Sequence, residues 1–155
     1  MHVTWSRLGQ PPEIPVTGQR QSVKILGAIE LWRRRFHYRQ DTVFNAGSYL
    51  AFLKQLARRY RRQGAILIQD NASYHKDAEI WAWFRSNRHW LEVQQLPPYS
   101  PELNPTERLW QHTRRTGTHH RYFASEAELV VTLRRVFGEM QSHPVVMRSY
   151  LLPFC

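Results

Sequence analysis

Two carboxylates stand where a metal ion could be bound, and the first is Asp70. It follows Ala65–Gln69, a short apolar run that is typical of a buried strand. Carboxylates at the C-terminal ends of strands lie at the mouth of open α/β folds, where ligands bind. Asp70 and Asn71 could equally form a turn or a helix start, where both residue types are common. His75 could contact a phosphate or order a ligand, or it could simply close the loop.

The second carboxylate, Glu107, lies within the segment LPPYSPELNPTERLW at positions 96–110. Asn104 suits a helix N-cap, and Pro105 suits the first helical position. Glu107 could then bond back to the Asn104 amide, as in a capping box. The same placement also puts Glu107 at a helix start that faces the sheet edge. The stiff proline loop fixes where that helix begins, and a metal ligand needs such rigid positioning.

The elements that must position these residues are strands and helices in mixed order. The first two strands should pair as a hairpin, residues 1–21 read as a Pro- and Gly-rich loop, and the tail from Pro144 is ambiguous. The pattern predicts one α/β domain with helices packed on a sheet. Strands are predicted at Val23–Leu31, Arg33–Arg39, Ala65–Gln69 and Leu91–Leu96, and helices at Asn45–Arg62, Asp77–Asn87, Asn104 to about Arg115 and Ser125 to about Phe137.

The charge of the chain favours a polyanionic partner. Its 155 residues carry 22 Lys and Arg against 12 Asp and Glu, a formal charge of +10, and nucleic acid is the usual partner of such a surplus. A single cysteine, Cys155, excludes an intramolecular disulfide. No apolar run is long enough to span a membrane. Candidate contacts to the DNA backbone, each of which could also be a solvated face, are Arg58, Arg59, Arg61, Arg62, Arg114, Arg115 and Arg121.

Two motifs carry a family resemblance. DNASYH at 70–75 and LPPYSPELNPTERLW at 96–110 resemble the signatures of mariner-like bacterial insertion-sequence transposases. Similarity extends to WSRLG at 5–9, PVTG at 15–18 and FASEAEL at 123–129. The resemblance implies a ribonuclease H-like fold with a mixed sheet flanked by helices. It also implies a catalytic Asp-Asp-Glu (DDE) triad, in which Asp70 matches the second aspartate and Glu107 the glutamate.

The implied chemistry is metal-dependent DNA cleavage and strand transfer. Asp70 and Glu107 would be catalytic ligands of Mg²⁺ or Mn²⁺, supported by Asn71, His75 and Asn104. Water or a 3′-hydroxyl would attack the phosphodiester, so no nucleophilic side chain is required. The family's first aspartate ends a strand that would precede Trp5, and the chain has no acidic residue before Glu13. The triad is therefore expected to be incomplete; Asp41 follows a hairpin strand where the family has no catalytic residue.

The resemblance leads to one picture of the whole chain and leaves one alternative. Residues 1–155 are expected to be the C-terminal part of a single catalytic domain, lacking its central first strand and any helix-turn-helix module. Such a chain should be inactive alone, able to dimerise through an exposed strand edge, and located with the nucleoid in a bacterial cytoplasm. The alternative is an inactive, non-specific DNA-binding remnant of a decayed transposable element. A basic structural protein with a chance motif is a third reading.

Overall fold

A computed structural model of the chain describes residues 22–119 and 121–152. The loop predicted over residues 1–21 and its two motif segments lie outside these residues. The observed elements are β1 (Lys24–Glu30), β2 (Arg35–Asp41), α1 (Ala46–Tyr60), β3 (Ala65–Gln69), α2 (Ala78–Asn87), β4 (Leu91–Gln95), α3 (Pro105–Thr113), α4 (Glu126–Ser142) and α5 (Pro144–Leu151). The predicted mixed α/β arrangement is confirmed, and no helix in the described part of the chain is long and apolar enough to cross a membrane.

The strands of the described residues form two separate pairs. β1 and β2 are antiparallel, with Lys24 opposite Asp41 and Glu30 opposite Arg35, which confirms the predicted hairpin. β3 and β4 are parallel, from Ala65 beside Leu91 to Gln69 beside Gln95. No ladder joins the two pairs within residues 22–119 and 121–152. Each of these strands therefore keeps one edge without a described strand partner.

Helix starts follow local side-chain chemistry. The Asn45 side chain accepts from the Ser48 amide at the start of α1, and Asp77 accepts from the Glu79 amide at the start of α2. Ser125 does the same for α4 through the Glu128 amide, while the Glu128 carboxylate accepts from the Ala124 amide. These caps occupy amide groups that a helix start leaves unpaired. α4 runs beyond Phe137 to Ser142, and the ambiguous tail forms α5.

Two apolar clusters hold the fold together, and β1 contributes to both. Leu26 packs with α1, α2 and β4 in the first cluster, which contains Phe52, Leu53, Ile80, Phe84 and Leu91. Ile25 and Ile29, on the opposite face of β1, pack on the second, which contains Phe36, Leu109, Val136, Phe137, Met140, Met147 and Leu151. The hairpin is thus covered on both faces by helices. β3 differs, because Ile66 and Ile68 are 66% and 55% exposed.

Candidate active site

Asp70 begins the loop after β3 and is held by its own neighbours in sequence. His75 Nδ1 lies 3.0 Å from Asp70 Oδ1 and 2.9 Å from the Asp70 carbonyl oxygen, and Oδ1 also accepts from the Ala72 amide at 3.1 Å. These bonds lower the pKa of the carboxyl group below its ordinary value, the His75 bond most and the Ala72 bond less, against an opposing effect of burial. Asp70 is therefore ionised at neutral pH, and its side chain remains 51% exposed.

A buried polar layer supports the end of β3. His75 is buried and its ring lies 4.2 Å from the ring of Tyr49. The Tyr49 hydroxyl donates to Gln69 Oε1, and burial raises the pKa of that phenol, which keeps it protonated. Gln69 Nε2 is buried without a hydrogen-bond partner among the described residues. An unpaired buried donor of this kind is uncommon in a native fold, and it lies next to Asp70 in the chain.

Asn71 ties the Asp70 loop to the segment that leads to Glu107. Its Nδ2 atom donates to the Leu96 carbonyl at 2.6 Å, and the Leu96 amide donates to the Gln69 carbonyl at 2.8 Å. Leu96 is the first residue after β4, where the proline-rich loop begins. Asn71 therefore fixes where that loop leaves the sheet edge.

Glu107 lies in the first turn of α3 and is not used as a cap. The Asn104 side chain accepts from the Thr106 amide, whereas the Asn104 amide donates to the Pro101 carbonyl. The alternative in which Glu107 bonds back to Asn104 is therefore wrong, because a 3-10 turn over Pro101–Leu103 already occupies that amide. Glu107 is half-buried, and its carboxylate makes no hydrogen bond or ion pair to the residues that the structure describes.

Packing of the ring of Trp110 on Gly27 holds α3 against the hairpin. A Cβ atom at Gly27 would lie 2.7 Å from the Cζ2 and Cη2 atoms of Trp110, so only glycine permits this approach. The ring also meets Phe36 and Phe137 edge-on, at centroid distances of 5.9 and 6.2 Å. After α3 the backbone continues as a π-helical turn, Arg114–Thr118, instead of the predicted α-helix to Arg115. Gly117 in that turn packs closely on Val136.

Tyr99 is a candidate functional residue that the sequence pattern did not predict. It lies in the loop between Leu96 and Glu107, is fully exposed and has a φ of 58°. Non-glycine residues rarely adopt that region, and such strain is concentrated at functional sites. Nothing in the pattern of the sequence indicated a positive φ here. The aromatic residue between closely spaced prolines was the only available signal.

The donor chemistry fits part of a hard-cation site. Mg²⁺ and Mn²⁺ prefer carboxylate oxygens and water, and both Asp70 Oδ2 and Glu107 are uncommitted among the described residues. No group of three or more His, Cys, Asp or Glu side chains suited to a metal occurs in residues 22–119 and 121–152. Asp41 offers no third ligand, because its carboxylate accepts from Arg39 and from the Thr42 amide.

The arginines predicted to contact DNA are all exposed but lie on different elements. Arg58 and Arg59 occupy the last turn of α1 and are followed by Arg61 and Arg62. Arg114 and Arg115 begin the π-helical turn, and Arg121 precedes α4. These candidates therefore come from three separate segments of the chain.

Comparisons with known proteins agree with the two motifs. The family model described as "DDE superfamily endonuclease" matches residues 2–130. An uncharacterized 39 kDa protein of insertion element IS630 from Shigella sonnei is 28% identical over 141 residues, 90% of this chain and 41% of the relative. The transposase of transposable element Tcb2 from Caenorhabditis briggsae is 33% identical over 81 residues, 50% of this chain and 29% of the relative. The chain thus spans less than half the length of either relative.

Proposed function

The chain belongs to the DDE superfamily endonuclease family, and from this we propose that it is part of a transposase catalytic domain that cuts and joins DNA with divalent metal ions. The observation that carries the proposal is the family match over residues 2–130, which includes both Asp70 and Glu107. Relatives named for an insertion element and a transposase support transposition as the process.

Asp70 and Glu107 are proposed as the two metal ligands of this chain. His75 and the Ala72 amide keep Asp70 ionised and fix Oδ1, which leaves Oδ2 for a cation. Glu107 is uncommitted among the described residues, at the rigid start of α3. A bound divalent cation would stabilise charge on the attacking and leaving oxygens of a phosphodiester. Asn71 and Asn104 act as positioning residues, because they fix the loop and the helix start between the two carboxylates.

A third carboxylate on an additional strand is proposed to complete the site. In a ribonuclease H-like sheet this strand would lie between β1 and β3, and each of those strands keeps one edge without a described partner. The unpartnered Gln69 Nε2 donor beside Asp70 offers a bond to such an acceptor. As the resemblance of the motifs implies, we propose that residues 1–155 are the C-terminal part of a single catalytic domain. Self-association through a free edge is expected to be visible by light scattering.

Binding to DNA is proposed to rest on charge. The seven exposed arginines Arg58, Arg59, Arg61, Arg62, Arg114, Arg115 and Arg121, with the net charge of +10, favour sequence-independent contact with phosphates. We expect duplex affinities of roughly 10⁻⁴ to 10⁻⁶ M at physiological salt, falling steeply as salt rises.

Metal binding provides the decisive test. Free Mn²⁺ is measured by electron paramagnetic resonance as the 155-residue protein is added. Asp70→Asn and Glu107→Gln should each weaken binding at least about tenfold, and His75→Ala about tenfold because it orients a ligand. Glu102→Gln is the matched control, since this exposed carboxylate lies in the same loop but has no proposed role. Equal losses in all four variants would refute the assignment.

Nicking of supercoiled plasmid tests the need for a third carboxylate. The chain should not cut DNA in Mg²⁺ or Mn²⁺, because two carboxylates do not hold a pair of metal ions. Nicking that disappears in Asp70→Asn or Glu107→Gln would show that the chain already holds a third carboxylate ligand, with Asp41 as the first residue to replace.

A further inference from the structure

The tip of the β1–β2 hairpin exposes an indole next to three consecutive arginines. Trp32 is 91% exposed, whereas the other tryptophans of the described residues, Trp81, Trp83, Trp90 and Trp110, are half-buried. Arg33, Arg34 and Arg35 follow it directly, and the Arg33 side chain is 53% exposed. Arg34 adopts a φ of 53°, which turns the chain sharply back into β2. The exposed indole leaves its ring face open beside three cationic side chains, which is the combination that a polyanion with an aromatic group could use.

The tip is held rigidly against the C-terminal end of α1. Tyr60 donates its hydroxyl hydrogen to Glu30 Oε2 at 2.8 Å, and its oxygen lies 2.7 Å from His37 Nε2. Since the hydroxyl hydrogen goes to Glu30, Nε2 must be the donor in the second bond. Residues of β1, β2 and α1 are thus joined at one point, a few residues from Trp32.

This junction gathers positive charge from two elements. Arg35 faces Glu30 across the hairpin, and Arg33 Nε lies 3.8 Å from a Glu30 carboxylate oxygen. Arg59, in the last turn of α1, is near enough to lower the pKa of His37, after the larger effect of burial. Glu30 is largely buried, and its carboxylate pairs with Arg33 and accepts the hydrogen bond from Tyr60. The surface around Trp32, here called the tip patch, is therefore basic around one aromatic side chain. It consists of the exposed Trp32, Arg33 and Arg59 and the half-buried Arg34 and Arg35.

We propose that the tip patch binds a DNA strand at an unpaired base, with Trp32 stacked on the base and the arginines on the flanking phosphates. Aromatic side chains stack on any base, and cations follow the backbone, which is how proteins hold single strands without sequence preference. A continuous duplex hides its base faces and offers only phosphates and groove edges. The partner that uses both halves of the patch is DNA with a single-stranded tail or a frayed end. The inference shares the DNA partner of the proposed function but does not use its metal site.

The test measures binding of the 155-residue protein to fluorescent oligonucleotides by anisotropy, in EDTA. One probe is a blunt duplex and the other is the same duplex with a single-stranded tail. Trp32→Ala should weaken binding to the tailed probe by about fivefold to 150-fold and leave the blunt probe within about twofold. Trp32→Phe should retain most of the affinity for the tailed probe. Because Trp32 is exposed, neither substitution should affect folding.

Matched controls separate stacking from charge. Val131→Ala removes an exposed apolar side chain from α4, and Arg88→Ala removes a charge beyond α2. Neither should alter the preference for the tailed probe. Arg34→Ala should weaken both probes and lower the salt slope by about one.

Three results would overturn the inference. One is equal weakening of both probes in Trp32→Ala, and another is no weakening of either. The third is a change in self-association without a change in DNA binding, which would assign the patch to a second copy of the chain. These results concern Trp32 alone, so they leave the Asp70 and Glu107 metal test unaffected. A wild-type chain that binds neither probe would contradict this inference and the proposed DNA partner together.

Discussion

Replacing Gly27 with alanine should disturb the contact that fixes α3, the helix that carries Glu107. The new Cβ would lie 2.7 Å from two ring atoms of Trp110 and 3.2 Å from Phe36 Cε2. Carbon atoms in ordinary contact lie about 3.5–4.0 Å apart. The Trp110 ring, or the hairpin beneath it, must therefore move by about 1 Å.

The ring has little room to move, because it is enclosed by Phe36 and Phe137 in the cluster around α4 and α5. Overpacking a core of this kind costs about 1–3 kcal/mol. Alanine loses less backbone entropy than glycine on folding, which offsets about 0.5–1 kcal/mol. Gly27→Ala should therefore reduce the free energy of unfolding by up to about 2.5 kcal/mol.

Urea unfolding followed by circular dichroism measures this change in Gly27→Ala, Trp110→Phe and the double variant. Phenylalanine lacks the two clashing ring atoms. The loss in free energy of unfolding in the double variant should therefore be smaller than the sum of the two single losses, by about 0.5–3 kcal/mol. Gly138→Ala is the control, because no heavy atom lies within 4 Å of the added Cβ and the residue is inside α4. It should raise stability by about 0.5–1 kcal/mol. Additive losses, or equal effects at Gly27 and Gly138, would refute this account of the packing.

Three smaller changes test other parts of the structure. Ser125→Ala removes the cap of α4 and should cost about 1 kcal/mol in urea unfolding; no loss would show that Glu128 holds the helix start alone. Burial first, and the charge of Arg59 second, lower the pKa of His37. The stability that neutral His37 contributes should therefore be fully present above pH about 6.5 and be lost as the pH drops through the lower folded pKa. In His37→Gln, the melting temperature should fall less with decreasing pH than in the parent chain. Tyr99→Gly should relieve the positive φ and stabilise the chain by about 0.5–1 kcal/mol in urea, whereas a net loss would show that the side chain contributes contacts.

Features set by neighbours in sequence were predictable. β3 has the predicted bounds, Ala65–Gln69, because Gly64 and Asp70 flank a short apolar run and mark where the strand begins and ends. Asn45, Asp77 and Ser125 marked helix starts through their capping side chains. In each case a short-range hydrogen bond or a turn decides the boundary, and both can be read from residue types.

Features set by distant packing were not predictable. α4 continues to Ser142 because Met140 is fully buried, and α5 forms in the ambiguous tail because Met147 and Leu151 are fully buried in the same cluster. These contacts join segments with no local signal of their own. The π-helical turn after α3 likewise brings Gly117 onto Val136, a neighbour that the local pattern does not reveal.

The candidate site divides in the same way. Asp70 and Glu107 were found from motifs, and their roles remain predictions. The position of Glu107 allowed either a capping bond or a free carboxylate, and only the Asn104–Pro101 bond decides between them. Tyr99 was missed because tyrosine carries no sequence signal for a positive φ.

The two proposed ligands are anchored to different cores, which determines how the site can be disturbed. Asp70 follows β3, whose Leu67 packs on the cluster around α1 and α2, whereas Glu107 belongs to α3, whose Leu109 is buried with α4 and α5. β1 contributes to both cores through its two faces, and the Asn71–Leu96 bond is a second connection, between the loops. The separation of the carboxylates therefore depends on β1, on the β3–β4 pairing and on the two hydrogen bonds that Leu96 makes, with Asn71 and with Gln69. Gly27→Ala forces β1 and the Trp110 ring of α3 apart. We therefore expect it to displace Glu107 and to leave the Asp70–His75 contact in place.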